Sequence, residues 1–125
     1  MMKKTGIIIV SHVYEIAEGI HRLIQEVASD VDVQVVGGVD QSEVGTSFDT
    51  ALAAINNNSA ENLLAFYDLG SARMNLEMAM EMSDKTVKIY DVPVVEGAYT
   101  AAALLQAGVD QENIEEQLEE MHIVK

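Results

Sequence analysis

The segment Gly6-Ile-Ile-Ile-Val-Ser-His12 is a continuous apolar run that ends in a serine and a histidine. Isoleucine and valine without polar alternation are typical of a β-strand buried on both faces, as in a parallel sheet. Residues 15–28 follow with apolar side chains at helical spacing, which predicts one buried stripe. The members of this stripe are Ile16, Ile20, Leu23, Ile24 and Val27. The chain therefore opens with a buried strand and an amphipathic helix.

The same alternation continues to the C-terminal region. Further strands are predicted at 31–36, 63–67 and 87–90, and further helices at 47–56, 72–82, 95–107 and from the cap Asp110 to about Met121. Gly108 is suited to end the fourth of these five helices. Strands that alternate with helices predict an α/β fold, with an open, mainly parallel sheet of about four strands and helices on both faces. We expect a single domain spanning residues 1–125.

Composition excludes several classes of function. The 125 residues carry 7 basic and 21 acidic side chains, a net charge of −14, which argues against nucleic acid and anionic membrane surfaces as partners. The chain has no cysteine, and its three histidines are too dispersed to predict a metal site, so we expect no bound metal. Neither an N-terminal signal nor a membrane-spanning run is visible, so we expect a cytoplasmic protein.

His12 is the first candidate for chemistry. Ligands of open parallel sheets bind beyond the C-terminal strand ends, and His12 directly follows the first strand. A neutral imidazole there can act as a nucleophile, a base or a metal ligand. The alternative, which position alone weighs equally, is a histidine whose ring caps the next helix.

Asp68 follows the third strand in the same way. If the first and third strands are neighbours, its carboxylate can accept a hydrogen bond from one ring nitrogen of His12. That bond would fix the tautomer and leave the lone pair of the other nitrogen free to attack. The alternative makes Asp68 a turn or helix-cap residue.

Two further stretches are suited to binding an anion. Gly70-Ser71-Ala72 opens the third helix, where small residues and free backbone N–H groups favour negative charge. Thr46 precedes the second helix and adds a hydroxyl donor. Ordinary helix capping is the alternative for both Ser71 and Thr46.

The remaining candidates are predicted to be structural. His21 and His122 are expected at the surface, and the acidic run at 115–120 on a solvated face. A cluster of methionines is expected to fill the core rather than to line a binding groove. It comprises Met74, Met78, Met80 and Met82.

Three stretches of the chain form an ordered set: Gly6–His12, then Val44-Gly-Thr46, then Asp68-Leu-Gly-Ser-Ala72 with Asn75 and Glu77. This set resembles the mannose-type IIA domains of the sugar phosphotransferase system. The resemblance is closest to the relatives of these domains in dihydroxyacetone kinase and covers nearly the whole chain. The transporter domains carry an Asp-x-x-Gly-Gly-Ser-Pro stretch. This chain has a shorter stretch without proline, as the kinase subunits do.

This resemblance implies a phosphotransferase subunit of a phosphoenolpyruvate-dependent dihydroxyacetone kinase, with a role in glycerol metabolism. His12 would accept a phosphoryl group from the phosphocarrier HPr, and Asp68 would orient the ring. The group would pass to ADP, held with magnesium on a separate kinase subunit, and then to dihydroxyacetone on a third subunit. No cofactor is expected on this chain, and the family forms homodimers. Some relatives carry further carrier domains; none follows here, so we expect dependence on free carriers.

On this basis Thr46, Gly70, Ser71 and Ala72 are predicted to hold the phosphoryl oxygens. Donor and acceptor proteins must both reach His12, so we expect them to share one docking surface. Its predicted members are Val13, Tyr14, Gly45, Thr46, Leu69, Ser71 and Met74. Two alternatives stay open: a IIA component of a mannose-type sugar permease, and a non-catalytic interaction module in which His12 is structural.

Overall fold

The computed structural model describes residues 4–125, which contain all nine predicted elements. In chain order they are β1 (Thr5–Ser11), α1 (Tyr14–Gln25), β2 (Val33–Gly37), α2 (Phe48–Asn57), β3 (Asn62–Tyr67), α3 (Gly70–Glu81), β4 (Thr86–Ile89), α4 (Val94–Gln106) and α5 (Gln111–Glu119). The ends of the elements lie within three residues of the predicted ends. Asp110 caps α5 by accepting a hydrogen bond from Asn113 N–H (3.0 Å), and Gly108 follows α4 with a φ of +83°, so both predicted helix boundaries are confirmed.

The sheet is parallel throughout and has the strand order β2-β1-β3-β4. Helices cover both faces, as predicted. Side chains of β1 alternate between two cores: Ile7 and Ile9 pack toward α1, α4 and α5, and Ile8 and Val10 toward α2 and α3. All three isoleucines are fully buried, which explains why the opening run is apolar without interruption.

The strand order places a crevice between β1 and β3. The chain leaves β1 toward β2 on one side and returns to β3 on the other, so the direction of winding reverses at this pair. The connections after the two strands therefore diverge and leave room for a ligand at their C-terminal ends. Within residues 4–125, no helix combines the length and the apolar character needed to cross a membrane.

The predicted buried stripe of α1 is wrong at two positions. Ile16 and Leu23 are 45% and 46% exposed, whereas Ala17, Ile20 and Ile24 are buried. Ala17 packs closely against Gly37 of β2, where an added Cβ would lie 2.7 Å from Ala17 Cβ, so the buried line of the helix turns toward Ala17. Ile16 and Leu23 are left on the flank of the helix.

The expectation that the methionines of α3 fill the core is also wrong for three of them. Met74, Met78 and Met82 are 67%, 52% and 69% exposed, and only Met80 is partly buried. The helix packs through other residues, Ala72, Leu76 and Ala79. Met74, Met78 and Met82 recur every fourth residue and form one exposed stripe, which we call the methionine stripe.

Candidate functional site

The pairing of β1 with β3 brings His12 and Asp68 together. Val10 lies opposite Tyr67 in the register, and Asp68 N–H donates to the Val10 carbonyl (3.3 Å). The next residues of both strands therefore emerge side by side at the crevice. His12 Nδ1 lies 2.8 Å from Asp68 Oδ1, which confirms the expectation that neighbouring strands would let Asp68 reach the ring.

The Asp68 carboxylate accepts four hydrogen bonds. His12 Nδ1 and Leu69 N–H (2.7 Å) bind Oδ1, while His12 N–H and the Ser11 hydroxyl bind Oδ2, both at 2.9 Å. An ionised carboxylate only accepts hydrogen bonds, so the ring proton of His12 must be on Nδ1. The other ring nitrogen, Nε2, then carries a lone pair.

The charge of Asp68 is held in place by these donors. Burial of the carboxyl raises its pKa, but the hydrogen bonds from the His12 backbone and ring, Ser11 and the Leu69 backbone outweigh burial and leave the pKa below its ordinary value. Asp68 is therefore ionised at neutral pH and can keep the His12 tautomer constant.

The free nitrogen of His12 faces the start of α3. Nε2 lies 2.7 Å from Ser71 Oγ, and Ser71 is the second residue of that helix. Ala72 N–H donates to the Leu69 carbonyl (3.0 Å), whereas within residues 4–125 the N–H groups of Gly70 and Ser71 have no protein acceptor. A helix N-terminus with free N–H groups thus lies beside the ring nitrogen, an arrangement suited to an anion.

Thr46 closes another side of the site. Gly45 N–H donates to the His12 carbonyl (2.8 Å), and the φ of +140° at Gly45 favours glycine at this turn. Asn75 Nδ2 donates to Thr46 Oγ1 (2.8 Å), which leaves the hydroxyl proton of Thr46 available for a further acceptor.

Helix capping does not explain His12, Thr46 or Ser71. The N-caps of α1 and α3 are Val13 and Leu69, and neither helix has a side-chain cap. In α2 the cap is Ser47, whose hydroxyl accepts from Thr50 N–H. Asp68 does have a turn contact, with Leu69 N–H, but its other three hydrogen bonds go to Ser11 and His12.

Arg73 belongs to a separate network beside the site. Its guanidinium and the Tyr67 hydroxyl both donate to Asp91, two residues beyond the end of β4, and the guanidinium also pairs with Glu77 (3.4 Å). Burial raises the pKa of Asp91, but the hydrogen bond from Tyr67 and the charge of Arg73 reverse this and lower it. Arg73 is thus committed to two carboxylates.

The other two histidines lie outside this arrangement: His21 is half-buried within α1, and His122 is exposed after α5. In the part of the chain that the structure describes, no three His, Asp or Glu side chains are grouped to hold a metal ion. Sequence reasoning missed the roles of Ser11 and Asn75. Ser11 precedes His12 at the same strand end, and this position was the only available signal for it.

The arrangement combines a nucleophilic imidazole nitrogen, a carboxylate that fixes its tautomer, and free N–H and hydroxyl donors around it. Such a set can carry a transferable anionic group, because phosphoryl transfer requires mainly positioning and stabilisation of oxygen charge.

The family model described as PTS system fructose IIA component matches residues 6–115. The chain is 56% identical over 120 residues to the PTS-dependent dihydroxyacetone kinase, phosphotransferase subunit DhaM, of Lactococcus lactis, covering 96% of this chain and 98% of the relative. It is 42% identical over 123 residues to the PEP-dependent dihydroxyacetone kinase 1, phosphoryl donor subunit DhaM, of Listeria innocua, covering 98% and 99%.

Solved structures have the same fold. The crystal structure of EF1359, a protein of unknown function, superposes with a TM-score of 0.81 at 29% identity, covering 97% of this chain and 95% of that one. The phosphotransferase system component EIIA from Streptococcus agalactiae gives 0.65 at 19% identity, covering 97% and 96%, which supports the fold alone.

Proposed function

Because this chain belongs to the family of IIA components of the phosphotransferase system, we propose that it is the phosphoryl donor subunit of a phosphoenolpyruvate-dependent dihydroxyacetone kinase. In this proposal residues 1–125 act as one phosphocarrier domain. The family membership supports a role in phosphoryl transfer, and the two DhaM relatives support the kinase rather than a sugar permease.

One observation carries the proposal: His12 Nδ1 is held by the Asp68 carboxylate while Nε2 faces the open N-terminus of α3. The Nε2 lone pair attacks the phosphorus atom of phosphorylated HPr, and the bond between phosphorus and the HPr side chain breaks. The positive charge that develops on the His12 ring is stabilised by Asp68.

The phosphoryl oxygens need donors during this step. The N–H groups of Gly70 and Ser71 and the hydroxyl of Thr46 are placed to supply them. The Ser71 hydroxyl now faces Nε2 and rotates aside to bind an oxygen when phosphorus arrives. Ala72 contributes through the helix turn that its N–H closes onto Leu69.

The second step returns the protein to its starting state. A terminal oxygen of ADP on the partner kinase subunit attacks the phosphorus atom, the nitrogen–phosphorus bond breaks, and Nε2 regains its lone pair. The ATP so formed phosphorylates dihydroxyacetone on the dihydroxyacetone-binding subunit. Magnesium and nucleotide are held by the kinase subunit in this scheme, so no cofactor is placed on the present chain.

Both partners are proposed to dock on the surface around His12. Leu69 and Met74 are 59% and 67% exposed there, and Ser71 is exposed beside them. Exposed apolar side chains next to a reactive group favour a protein partner over a small molecule. The methionine stripe continues down α3 through Met78 and Met82, and we propose this lower part as the homodimer contact.

The decisive experiment is incubation with phosphoenolpyruvate, enzyme I and HPr, followed by intact-mass measurement. The wild type is expected to gain one acid-labile phosphoryl group. His12→Ala should gain none, because it lacks the nucleophilic nitrogen. This variant should still fold, because the replaced side chain lies at a strand end outside both cores. His21→Ala and His122→Ala are matched controls and should be phosphorylated normally. Phosphorylation of His12→Ala at the normal rate would exclude His12 as the carrier.

A second stage separates the kinase from the alternatives. Adding the kinase subunit, ADP and dihydroxyacetone should discharge the phosphorylated protein and produce dihydroxyacetone phosphate. Discharge only in the presence of membrane permease subunits would favour the sugar permease. No phosphorylation of the wild type by HPr would favour the non-catalytic interaction module.

A further inference from the structure

The segment after α5 returns across the functional edge of the sheet. Ile123 N–H donates to the Asp91 carbonyl (2.9 Å), which anchors this segment beyond the end of β4. Two residues later, Lys125 Nζ donates to the Tyr67 carbonyl (2.5 Å) and lies 3.8 Å from the centroid of the Tyr67 ring. The family match ends at residue 115, so it does not cover this segment.

Lys125 lies against the loop that carries the phosphoryl site. Tyr67, whose carbonyl it binds, directly precedes Asp68. At the other end of the loop, a Cβ built on Gly70 would lie 3.6 Å from the Lys125 carbonyl oxygen. Lys125 thus spans the connection between β3 and α3, on the side next to β4.

The charges around the site are unfavourable to an incoming phosphoryl anion unless a cation balances them. The chain carries a net charge of −14, and the Asp68 carboxylate that orients His12 repels an incoming phosphoryl group. Arg73 is paired with Asp91 and Glu77, and Lys88 with Glu115. Among the described residues at this edge, Lys125 is the cation without a carboxylate partner within 4 Å.

The Lys125 ammonium group can donate further hydrogen bonds. It carries three N–H donors, and the Tyr67 carbonyl accepts one of them. Burial holds the pKa of Lys125 below its ordinary value, and the charges of Asp91 and Asp68 only partly oppose this effect. A phosphoryl anion beside the ammonium would also favour its charged form.

We propose that Lys125 binds an oxygen of the phosphoryl group at the first turn of α3 as the group passes to and from His12. This inference rests on the proposed function of His12. One ammonium N–H keeps its bond to the Tyr67 carbonyl, and a second is donated to the phosphoryl oxygen. The Gly70 and Ser71 N–H groups then bind the same anion from the helix end.

The test compares Lys125→Met, which keeps the length of the side chain and removes the charge, with Lys125→Arg, which keeps a cation. Lys88→Met is the matched control, because it makes the same change of charge on a residue that pairs with Glu115, away from His12. Each variant is phosphorylated by phospho-HPr in single-turnover experiments and, separately, by phosphoramidate, a small donor that requires no docking surface.

Lys125→Met is expected to lower the maximal rate with phospho-HPr by about ten- to a hundredfold, as for a lost charged hydrogen bond, with little change in half-saturation. The rate with phosphoramidate should fall similarly, and Lys125→Arg should restore much of both. Wild-type rates in Lys125→Met would overturn the inference. An equal loss of rate in Lys125→Met and Lys125→Arg, with a lower thermal midpoint in each, would also overturn it, because that result indicates a packing role.

The two donors separate this inference from the proposed function. If HPr phosphorylates no variant while phosphoramidate shows the Lys125 effect, the proposed donor is wrong and the role of Lys125 stands. If neither donor phosphorylates the wild type at His12, both proposals are rejected.

Discussion

Replacing Asp68 with asparagine keeps the shape of the side chain but removes the carboxylate that fixes the His12 tautomer. The carboxylate only accepts hydrogen bonds, so it holds the ring proton on Nδ1. An asparagine can present its N–H₂ group to Nδ1 instead, and the ring proton then moves to Nε2. In that tautomer Nε2 has no lone pair, and we expect phosphoryl transfer to slow by about 10²- to 10⁴-fold.

The same substitution has a calculable effect on stability. Asp68 accepts four hydrogen bonds, and the single amide oxygen of asparagine accepts about two of them. Each donor left unpaired costs about 1–3 kcal/mol when buried. The amide oxygen keeps the bonds from Ser11 and His12 N–H, and Nδ1 now accepts from the amide group, so Leu69 N–H is the donor left unpaired. The side chain is 13% exposed, and we expect Asp68→Asn to lower the free energy of unfolding by about 2 kcal/mol. The variant should therefore still fold.

Rapid-quench phosphorylation by phospho-HPr measures the rate, and urea unfolding measures the stability. Asp40→Asn is the matched control: Asp40 also follows a strand and accepts three hydrogen bonds, from Ser42 and Glu43, but none from His12. Its transfer rate should equal that of the wild type. If Asp68→Asn also transferred at the wild-type rate, the carboxylate would be only a turn residue and the tautomer argument would be refuted.

Three further predictions concern pH, partners and assembly. Hydrogen bonding holds the pKa of folded Asp68 below its ordinary 3.8. The stability that Asp68 contributes is therefore complete above that pH and is lost as the pH falls through the folded pKa. In urea unfolding, the difference in free energy of unfolding between wild type and Asp68→Asn should shrink in acid, and a constant difference would contradict this. HPr should displace the kinase subunit in a competition binding assay, with weaker encounter at higher salt because the chain carries −14; a stable ternary complex on one protomer would exclude a shared surface. Replacing Met78 and Met82 with serine should weaken a homodimer in sedimentation without lowering the thermal midpoint, since both side chains are exposed; an unchanged dimer would place the contact elsewhere.

Local sequence patterns suffice for features whose causes lie within a few residues. The apolar run before His12 predicted a central strand because burial on both faces excludes polar residues from it. Asp110 predicted a helix start because capping depends on neighbours three residues away. Periodicity failed at Ile16 and Met74, because helical spacing does not say which of several apolar lines faces the sheet.

The sequence by itself determined the alternation of strands and helices and the placement of His12 and Asp68 at strand ends, because hydrophobic period and turn chemistry act over a few residues. Only the tertiary structure decided which side chains meet there. Ser71 reaches His12 across 59 positions, and Lys125 reaches Tyr67 across 58. Such contacts follow from the strand order and from the path of the last segment over the sheet, and no local pattern encodes either.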